Sequence, residues 1–207
     1  MRAGSSQANP VRVLHVFGGL GVGGAEVRTM DIYHAIDKTK VQFDFISHKP
    51  NEDYFENEIR ALGGRIYHVP RYRLHNRAAY QRAWSEFLDA HPYYDTVHIH
   101  TTNTAAAILP ILARHGVRQR ITHAHSSSNP SAAKHILLRM NRNTINRLAT
   151  VRLAVSADAA AYVYGRAAAG PGGVAIVQDA IDAKKYVFNP DTRAAVRESL
   201  SLRDSFV

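Results

Sequence analysis

The sequence contains no cysteine and only one tryptophan among its 207 residues. The absence of cysteine excludes disulfides, thiolate metal sites and thiol nucleophiles, and it is consistent with a reducing compartment. Long hydrophobic runs are also missing. The longest uncharged apolar stretch, residues 105–113, contains Pro110 and is too short to span a bilayer. The first nine residues are small and polar, so we expect no secretory leader and a cytoplasmic protein.

Acidic residues are scarcer than basic ones: 17 Asp and Glu stand against 26 Lys and Arg, which gives a formal net charge of +9. This excess favours anionic partners, such as phosphorylated small molecules, nucleic acid or an acidic membrane surface. No internal repeat or collagen-like composition is present, and hydrophobic residues make up 45% of the chain. The composition therefore predicts a basic globular protein with a sizeable core.

Short apolar, β-branched segments alternate with segments of helical periodicity along almost the whole chain. Strands are predicted at residues 11–17, 41–47, 65–69, 96–100, 119–125, 151–156 and 174–178. Helices are predicted at residues 25–36, 53–62, 77–90, 103–115, 132–148, 157–164 and 189–200. This alternation is typical of βαβ units, so we expect an α/β fold with a doubly wound, Rossmann-like parallel sheet sandwiched by helices.

A glycine-rich loop, FGGLGVGGAE (17–26), joins the first predicted strand to the first predicted helix. Glycines let the backbone approach a ligand, and the helix behind them offers its N-terminal amides to an anion. Gly19, Gly21 and Gly24 match the dinucleotide fingerprint, but Ser47-His48-Lys49 stands where NAD binding requires an acidic residue. We favour a phosphate-proximal loop, with a dinucleotide site and a plain tight turn as alternatives.

Two pairs of histidines end consecutive predicted strands: His98 with His100, and His123 with His125. The spacing of two puts each pair on one face of its strand, at the end where parallel sheets bind ligands. His100, His123 and His125 are candidate cleft residues, and the strand-terminal His100 and His125 are favoured. Core histidines bonded to the backbone are one alternative. A metal site is the other, disfavoured because no carboxylate or cysteine completes a familiar spacing.

The predicted helix over residues 132–148 carries aliphatic residues on one side and Arg139, Arg142 and Arg147 on the other. An ordinary solvated basic face is the first interpretation. Contact of these arginines with anionic lipid headgroups or a lipid-linked phosphate is the alternative. Nucleic acid is disfavoured as a partner, because no aromatic residues interleave with the charges and no binding module is recognisable.

The ordered set of segments resembles the N-terminal half of a family 4 glycosyltransferase of the GT-B fold, of the type that builds bacterial capsular polysaccharides and exopolysaccharides. The resemblance covers nearly the whole chain from about residue 11. It is carried by VRVLHVFGGLGVGGAEV, VQFDFISH, GGRIYHVPRY, YDTVHIH, RITHAHSSS, AVSADAAAYVYG and IVQDAIDAKKYVFNPDTR. The last segment departs from the family pattern, since Asp179 and Ala180 replace an asparagine and a glycine.

The resemblance implies transfer of a hexosyl unit from a UDP- or GDP-sugar to a glycan or lipid-linked acceptor in polysaccharide biosynthesis. His125 would be the catalytic residue that touches the reacting sugar or acceptor. No metal would be required, because positive groups and helix N-termini stabilise the departing diphosphate. The residues expected to shape the donor side of the cleft are Gly21, Gly23, Gly24, Glu26 and Ser156, the last of which would open the final helix of the lobe.

The same resemblance predicts a disordered leader (1–10), a Rossmann-like domain (11–188), and a helix and linker (189–207) leading toward an absent C-terminal domain. Since the family's second domain holds most nucleotide-sugar contacts, we expect the chain alone to lack activity. An anionic membrane at the inner face is a further candidate partner. Two other functions stay open: a non-catalytic module that binds an acceptor or lipid phosphate, and an NAD(P)-binding oxidoreductase domain.

Overall fold

Strands and helices alternate in the structure, a computed structural model that describes residues 9–128, 132–168, 170, 173–179, 181 and 183–202. The strands are β1 (Val11–Phe17), β2 (Val41–Ser47), β3 (Ile66–His68), β4 (Thr96–Ile99), β5 (Gln119–Ala124), β6 (Val151–Ala154) and β7 (Ala175–Ile176). The helices are α1 (Gly24–Ala35), α2 (Glu56–Ala61), α3 (Arg77–Ala90), α4 (Thr102–Arg114), α5 (Ala132–Leu148), α6 (Ala157–Tyr164) and α7 (Pro190–Ser199). Short 3₁₀ helices span Leu74–Asn76 and Ala183–Tyr186.

All seven strands pair in parallel in one sheet, in the order β3-β2-β1-β4-β5-β6-β7. Each predicted strand is present, although the edge strands β3 and β7 are shorter than expected. The direction of winding reverses between β1 and β4, which places the topological switch point there. The structure confirms the predicted doubly wound sheet, and the switch point marks where its ligand crevice belongs.

Helices cover both faces of this sheet. A larger core cluster joins the strands to α3, α4, α5 and α6 and contains Trp84, Ile99 and Leu109. A smaller cluster joins the strands to α1 and α2 and contains Tyr33 and Phe45. Because apolar side chains are buried on both faces, the central strands read as continuous apolar runs in the sequence.

Turn residues end and begin the helices where the sequence predicts. Gly63 and Gly116 adopt positive φ angles of 88° and 74° just beyond α2 and α4, a conformation that favours glycine. Asn189 begins α7, because its side-chain oxygen accepts a hydrogen bond from the amide of Thr192 at 2.9 Å. The observed ends of these helices lie within a few residues of the predicted ones.

The predicted leader over residues 1–10 falls almost entirely outside the described residues, which begin at Asn9. Helix α7 buries none of its residues. The division into residues 11–188 and 189–207 stays a prediction. No helix among the described residues is long and apolar enough to cross a membrane.

A buried carboxylate ties β1 and β2 to the elements around them. The Asp44 side chain is fully buried and accepts hydrogen bonds from the Arg12 guanidinium at 2.5 Å, from the Tyr94 hydroxyl at 2.6 Å and from the Arg65 amide at 2.7 Å. The hydrogen bond to Asp44 raises the pKa of Arg12. Asp44 is therefore a structural residue rather than a ligand for a dinucleotide ribose.

Replacing Arg12 by methionine should lower the free energy of unfolding by about 3–5 kcal/mol, because Asp44 would remain buried without its counter-charge. Arg118→Met is the matched control, since Arg118 pairs with Asp95 at an exposed position. The control should change the free energy by less than about 1 kcal/mol. Urea unfolding followed by Trp84 fluorescence measures both, and equal losses would contradict this role of Asp44.

Candidate functional site

Five histidines from three neighbouring strands lie together on the sheet, and we call them the histidine cluster: His15, His98, His100, His123 and His125. In the paired register, His15 stands opposite His98, and Ile99 stands opposite Thr122. Side chains in register on parallel strands point to the same face, and alternate residues share that face. The five rings therefore form one row across β1, β4 and β5, with neighbouring centroids 4.1–5.8 Å apart.

Two short contacts run through the cluster. Nδ1 of His15 lies 3.0 Å from Nε2 of His100, and Nδ1 of His100 lies 2.8 Å from Nε2 of His125. A neutral imidazole carries one N–H and one lone pair, so His100 donates in one contact and accepts in the other. The ring of Phe17 stacks on His100 at 4.1 Å between centroids. His125 is thus held through one nitrogen, and its Nδ1 is left for a ligand.

The cluster is neutral near pH 7. Burial lowers the pKa of His15 to about 3 and that of His123 to about 4. Burial also lowers the pKa of the other three members, and the neighbouring imidazoles add to this effect at His98 and His100. Its members can therefore supply lone pairs and N–H groups without carrying charge.

The free energy of unfolding should fall as the pH drops below 6.5, because the unfolded chain then binds protons that the folded cluster does not. For His15, with a folded pKa of about 3 and a reference value of 6.5, the loss is about 1.4 kcal/mol per pH unit within that window. His15→Phe should make the slope shallower between about pH 6 and 4. His75→Gln, at an exposed position, is the control, and a slope unchanged by His15→Phe would contradict the prediction.

The glycine-rich loop lies beside the cluster at the carboxyl edge of β1. Asp53 holds it from behind: one carboxylate oxygen accepts hydrogen bonds from the Leu20 amide at 2.9 Å and from Lys49 Nζ at 2.7 Å. A Cβ on Gly19 would lie 2.8 Å from the Lys49 side chain, and one on Gly21 would lie 3.2 Å from Asp53. The close approach of Lys49 and Asp53 therefore explains the glycines at these two positions. The Asp53 carboxylate also occupies the Leu20 amide, so this backbone N–H of the loop is not open to an anion.

The N-terminus of α1 is covered in part by its own first turn. The N-cap residue Gly23 has no side chain, and the Glu26 carboxylate occupies the space that a Cβ on Gly23 would take. Burial raises the pKa of Glu26. Gly24 has open space around it, with no atom within 4 Å of a Cβ placed there. An anion that approaches this turn must move Glu26 aside or meet it protonated, and donor binding by Gly21, Gly23, Gly24 and Glu26 stays a prediction.

Other groups close the crevice around the loop. A Cβ on Gly18 would lie 3.8 Å from Thr101, the residue before α4. Arg28 of α1 lies 3.9 Å from Asp179, which follows β7 and partly opposes the lowering of the His125 pKa. The structure therefore brings the loop, the outer histidines and the segment after β7 to one edge of the sheet.

Ser156 begins α6, as the resemblance implied. Its hydroxyl accepts a hydrogen bond from the Ala159 amide at 3.1 Å. This capping bond accounts for the serine without a ligand, and a role of Ser156 in donor binding stays a prediction.

The position after β2 argues against a nicotinamide site. His48 follows the strand directly and is buried, with Nδ1 at 2.8 Å from the carbonyl of Phe17 and Nε2 at 3.0 Å from the Tyr80 hydroxyl. A buried imidazole thus stands where an NAD-binding domain places the carboxylate that binds the ribose.

The predicted basic face of α5 needs one correction. Arg142 does not belong to it, because its guanidinium donates to the carbonyls of Tyr162 at 2.8 Å and Val163 at 3.1 Å at the end of α6. Arg139 and Arg147 are exposed, as expected. Residues three apart on a helix do not always share its exposed stripe, and here Arg142 faces the neighbouring helix instead.

A basic cleft of about 600 Å³ opens at the carboxyl ends of β2 and β3, next to Lys49. No acidic residue lines its described part. Its cationic and imidazole residues are Lys49, Arg71, Arg73, His48, His68 and His75. Such a lining favours an anionic ligand.

Besides the lining of the basic cleft, the sequence analysis missed His15 and Asp53. His15 lies on β1, two residues before the end of the strand at Phe17. Because side chains alternate between the faces of a strand, the spacing of two seen in the other histidine pairs could have placed His15 on the same face of the sheet as those pairs. Asp53 lies in the connection from β2 to α2, where no motif marks it. Its role emerges only from the contact with Leu20.

The fold is that of one lobe of a GT-B glycosyltransferase. The sequence profile described as the glycosyl transferase 4-like domain matches residues 23–177, and the chain belongs to this family.

A curated relative and two solved structures agree with this assignment. The EpsF glycosyltransferase of Bacillus subtilis (strain 168) is 30% identical over 190 residues, which are 90% of this chain and 49% of EpsF. Alr3699/HepE of Anabaena in complex with UDP and glucose matches with a TM-score of 0.70 at 17% identity, over 95% of this chain and 52% of that one. Its complex with UDP-glucose gives 0.70 at 18% identity, over 94% and 51%. The chain thus spans about half the length of these relatives.

Proposed function

We propose that this chain is the acceptor-side lobe of a glycosyltransferase that moves a hexosyl unit from a nucleotide sugar to a glycan or lipid-linked acceptor in polysaccharide biosynthesis. The observation that carries the proposal is the position of His125, half-buried at the carboxyl edge of the sheet beside the glycine-rich loop, where burial lowers the pKa of its imidazole. Ligands of open α/β sheets bind at this edge, near the switch point.

The donor is proposed to be a UDP-sugar. Alr3699/HepE, which shares the fold, is described in complexes with UDP and with UDP-glucose. In our proposal a C-terminal domain joined to this chain holds most of the nucleotide, and the open side of α1 at Gly24 faces the diphosphate. The helix dipole and its free amides would stabilise the negative charge that develops as the diphosphate departs.

The acceptor is proposed to carry phosphate. The basic cleft includes Lys49, which pairs with Asp53 behind the loop, and the described part of the cleft lining holds no carboxylate to repel an anion. His125, with Nε2 in contact with His100, would present Nδ1 to a hydroxyl of the sugar or acceptor. A neutral imidazole suits this task, since it binds a hydroxyl without bringing charge into the crevice.

His125→Gln should lower kcat for sugar transfer by about 100-fold or more, because the imidazole that contacts the reacting groups is lost. The KM for the UDP-sugar should change little, since the donor is held by the other domain. The assay uses the protein in which this chain is joined to its C-terminal domain. The control is His115→Gln, which lies between α4 and β5 at the opposite, amino ends of the strands. An unchanged kcat in His125→Gln, or sugar transfer by the 207-residue chain alone, would contradict the proposal.

Peripheral membrane contact is proposed to involve one exposed stripe of α5. Its members lie at helical spacing on a single face, and two of them are large apolar residues: Ile136, which is 58% exposed, and Met140, which is 75% exposed. The exposed residues of the stripe are Ile136, Arg139, Met140, Asn143 and Arg147. Apolar side chains between basic ones on one helix face are typical of helices that lie on anionic membranes.

The double variant Arg139→Glu/Arg147→Glu should weaken sedimentation with anionic liposomes about tenfold or more, since each basic residue near such a surface contributes about 1 kcal/mol. Arg82→Glu/Arg114→Glu changes the net charge equally at exposed positions on α3 and α4 and should leave binding nearly unchanged. Equal losses in the two double variants would show that only net charge matters and would exclude the stripe.

A further inference from the structure

Three ring nitrogens converge at the outer end of the histidine cluster. His100, His123 and His125 each offer one nitrogen, and the three atoms lie within 4.8 Å of one another. Nδ1 of His100 and Nε2 of His125 are 2.8 Å apart. Zinc binds imidazole nitrogens at about 2.0–2.1 Å, so tetrahedral geometry separates two such ligands by about 3.3 Å. The two nitrogens would have to move apart by about 0.5 Å to admit the ion.

His123 gives independent evidence of a ligand. It is 8% exposed, and among the described residues neither of its ring nitrogens has a hydrogen-bond partner. A buried polar group left unpaired costs about 1–3 kcal/mol. Its ring lies near those of the other two residues, with centroids 4.1 Å from His125 and 5.8 Å from His100. A metal ion in the triad would occupy one of the two unpaired nitrogens.

We propose that His100, His123 and His125 bind one Zn²⁺ ion and leave its fourth position open to water or a phosphate oxygen. Three neutral imidazoles do not compensate the charge of the ion, so the open position favours an anionic ligand. His125 is half-buried and is followed by the exposed residues 126–128. This side of the triad is therefore the route by which the ion and its fourth ligand enter.

The surroundings of the triad fit the outer shell of a zinc site. A histidine that binds metal through one nitrogen usually donates its other N–H to an acceptor, which fixes the ring. His100 binding through Nδ1 carries its proton on Nε2, and Nδ1 of His15 lies 3.0 Å away to accept it. Asp179 interacts electrostatically with His125, which places one carboxylate, shared with Arg28, within electrostatic reach of the triad.

A second triad, His15 with His98 and His100, also brings its nitrogens together, and Nε2 of His15 and Nε2 of His98 likewise lack hydrogen-bond partners among the described residues. His15 is 4% exposed, and its ring lies 4.2 Å from that of Phe43 and 5.5 Å from that of Phe45. A dication in this apolar surrounding would lose its hydration, and Asp44, the carboxylate that interacts with His15, is already bound by Arg12. The outer triad is therefore the better site, and the two cannot be filled together because they share His100.

Isothermal titration of Zn²⁺ into the tag-free 207-residue chain tests the inference. One equivalent should bind, and Co²⁺ in place of zinc should give the visible absorption bands of a four-coordinate ion. His123→Gln and, at a less buried position, His125→Gln should each weaken binding by about 100-fold or more while circular dichroism shows the fold intact. His34→Gln is the matched control, since His34 and Glu58 form a surface pair at 2.5 Å that could hold metal weakly.

Absence of a one-equivalent binding event would overturn the inference. Binding that survives both His123→Gln and His125→Gln would do the same, because the ion would then lie elsewhere. The inference does not rest on the proposed function: zinc would use Nε2 of His125 and leave Nδ1 to the sugar or acceptor. Zinc binding without sugar transfer would defeat only the proposed function, and sugar transfer without zinc binding would defeat only this inference.

Discussion

The parallel register of β1, β4 and β5 is the constraint on which the site depends. Because β4 lies between β1 and β5 in the sheet, histidines that are distant in sequence come into one row. A shift of one residue in any of the three strands would turn its imidazoles to the opposite face. The large apolar cores on both faces hold the register and therefore hold the cluster.

The carboxyl edge of the sheet has two parts that differ in charge: the buried histidine cluster and the glycine-rich loop. The histidines lose their charge because they are packed against one another and against Phe17. The loop beside them keeps charge at its rim, where Asp53 pairs with Lys49 and Glu26 covers the start of α1. An incoming anion thus meets neutral imidazoles, a basic cleft and a single movable carboxylate. In our proposal this arrangement favours a ligand that carries both phosphate and hydroxyl groups.

The fold could be predicted closely because its signals are local. Alternating apolar periodicities located every strand and α-helix, and Gly63, Gly116 and Asn189 marked helix ends by their own backbone chemistry. Site contacts depend on pairing between distant segments, so of the histidine cluster the sequence yielded only His100, His123 and His125 as candidate cleft residues. Asp53 could not be found, because its bond to the Leu20 amide follows from how the loop packs. Arg142 was misplaced for the same reason, since only packing against α6 shows which way it points.

Imidazole nitrogen NMR of the metal-free chain at pH 7 tests the central claim, a neutral and hydrogen-bonded histidine row, most directly. Nitrogen-15 shifts report whether each ring is protonated, and a scalar coupling across the contact between His100 and His125 reports the bond itself. The account predicts one protonated nitrogen per ring for all five members and a measurable coupling at that contact. Doubly protonated rings, or freely rotating rings without coupling, would contradict it.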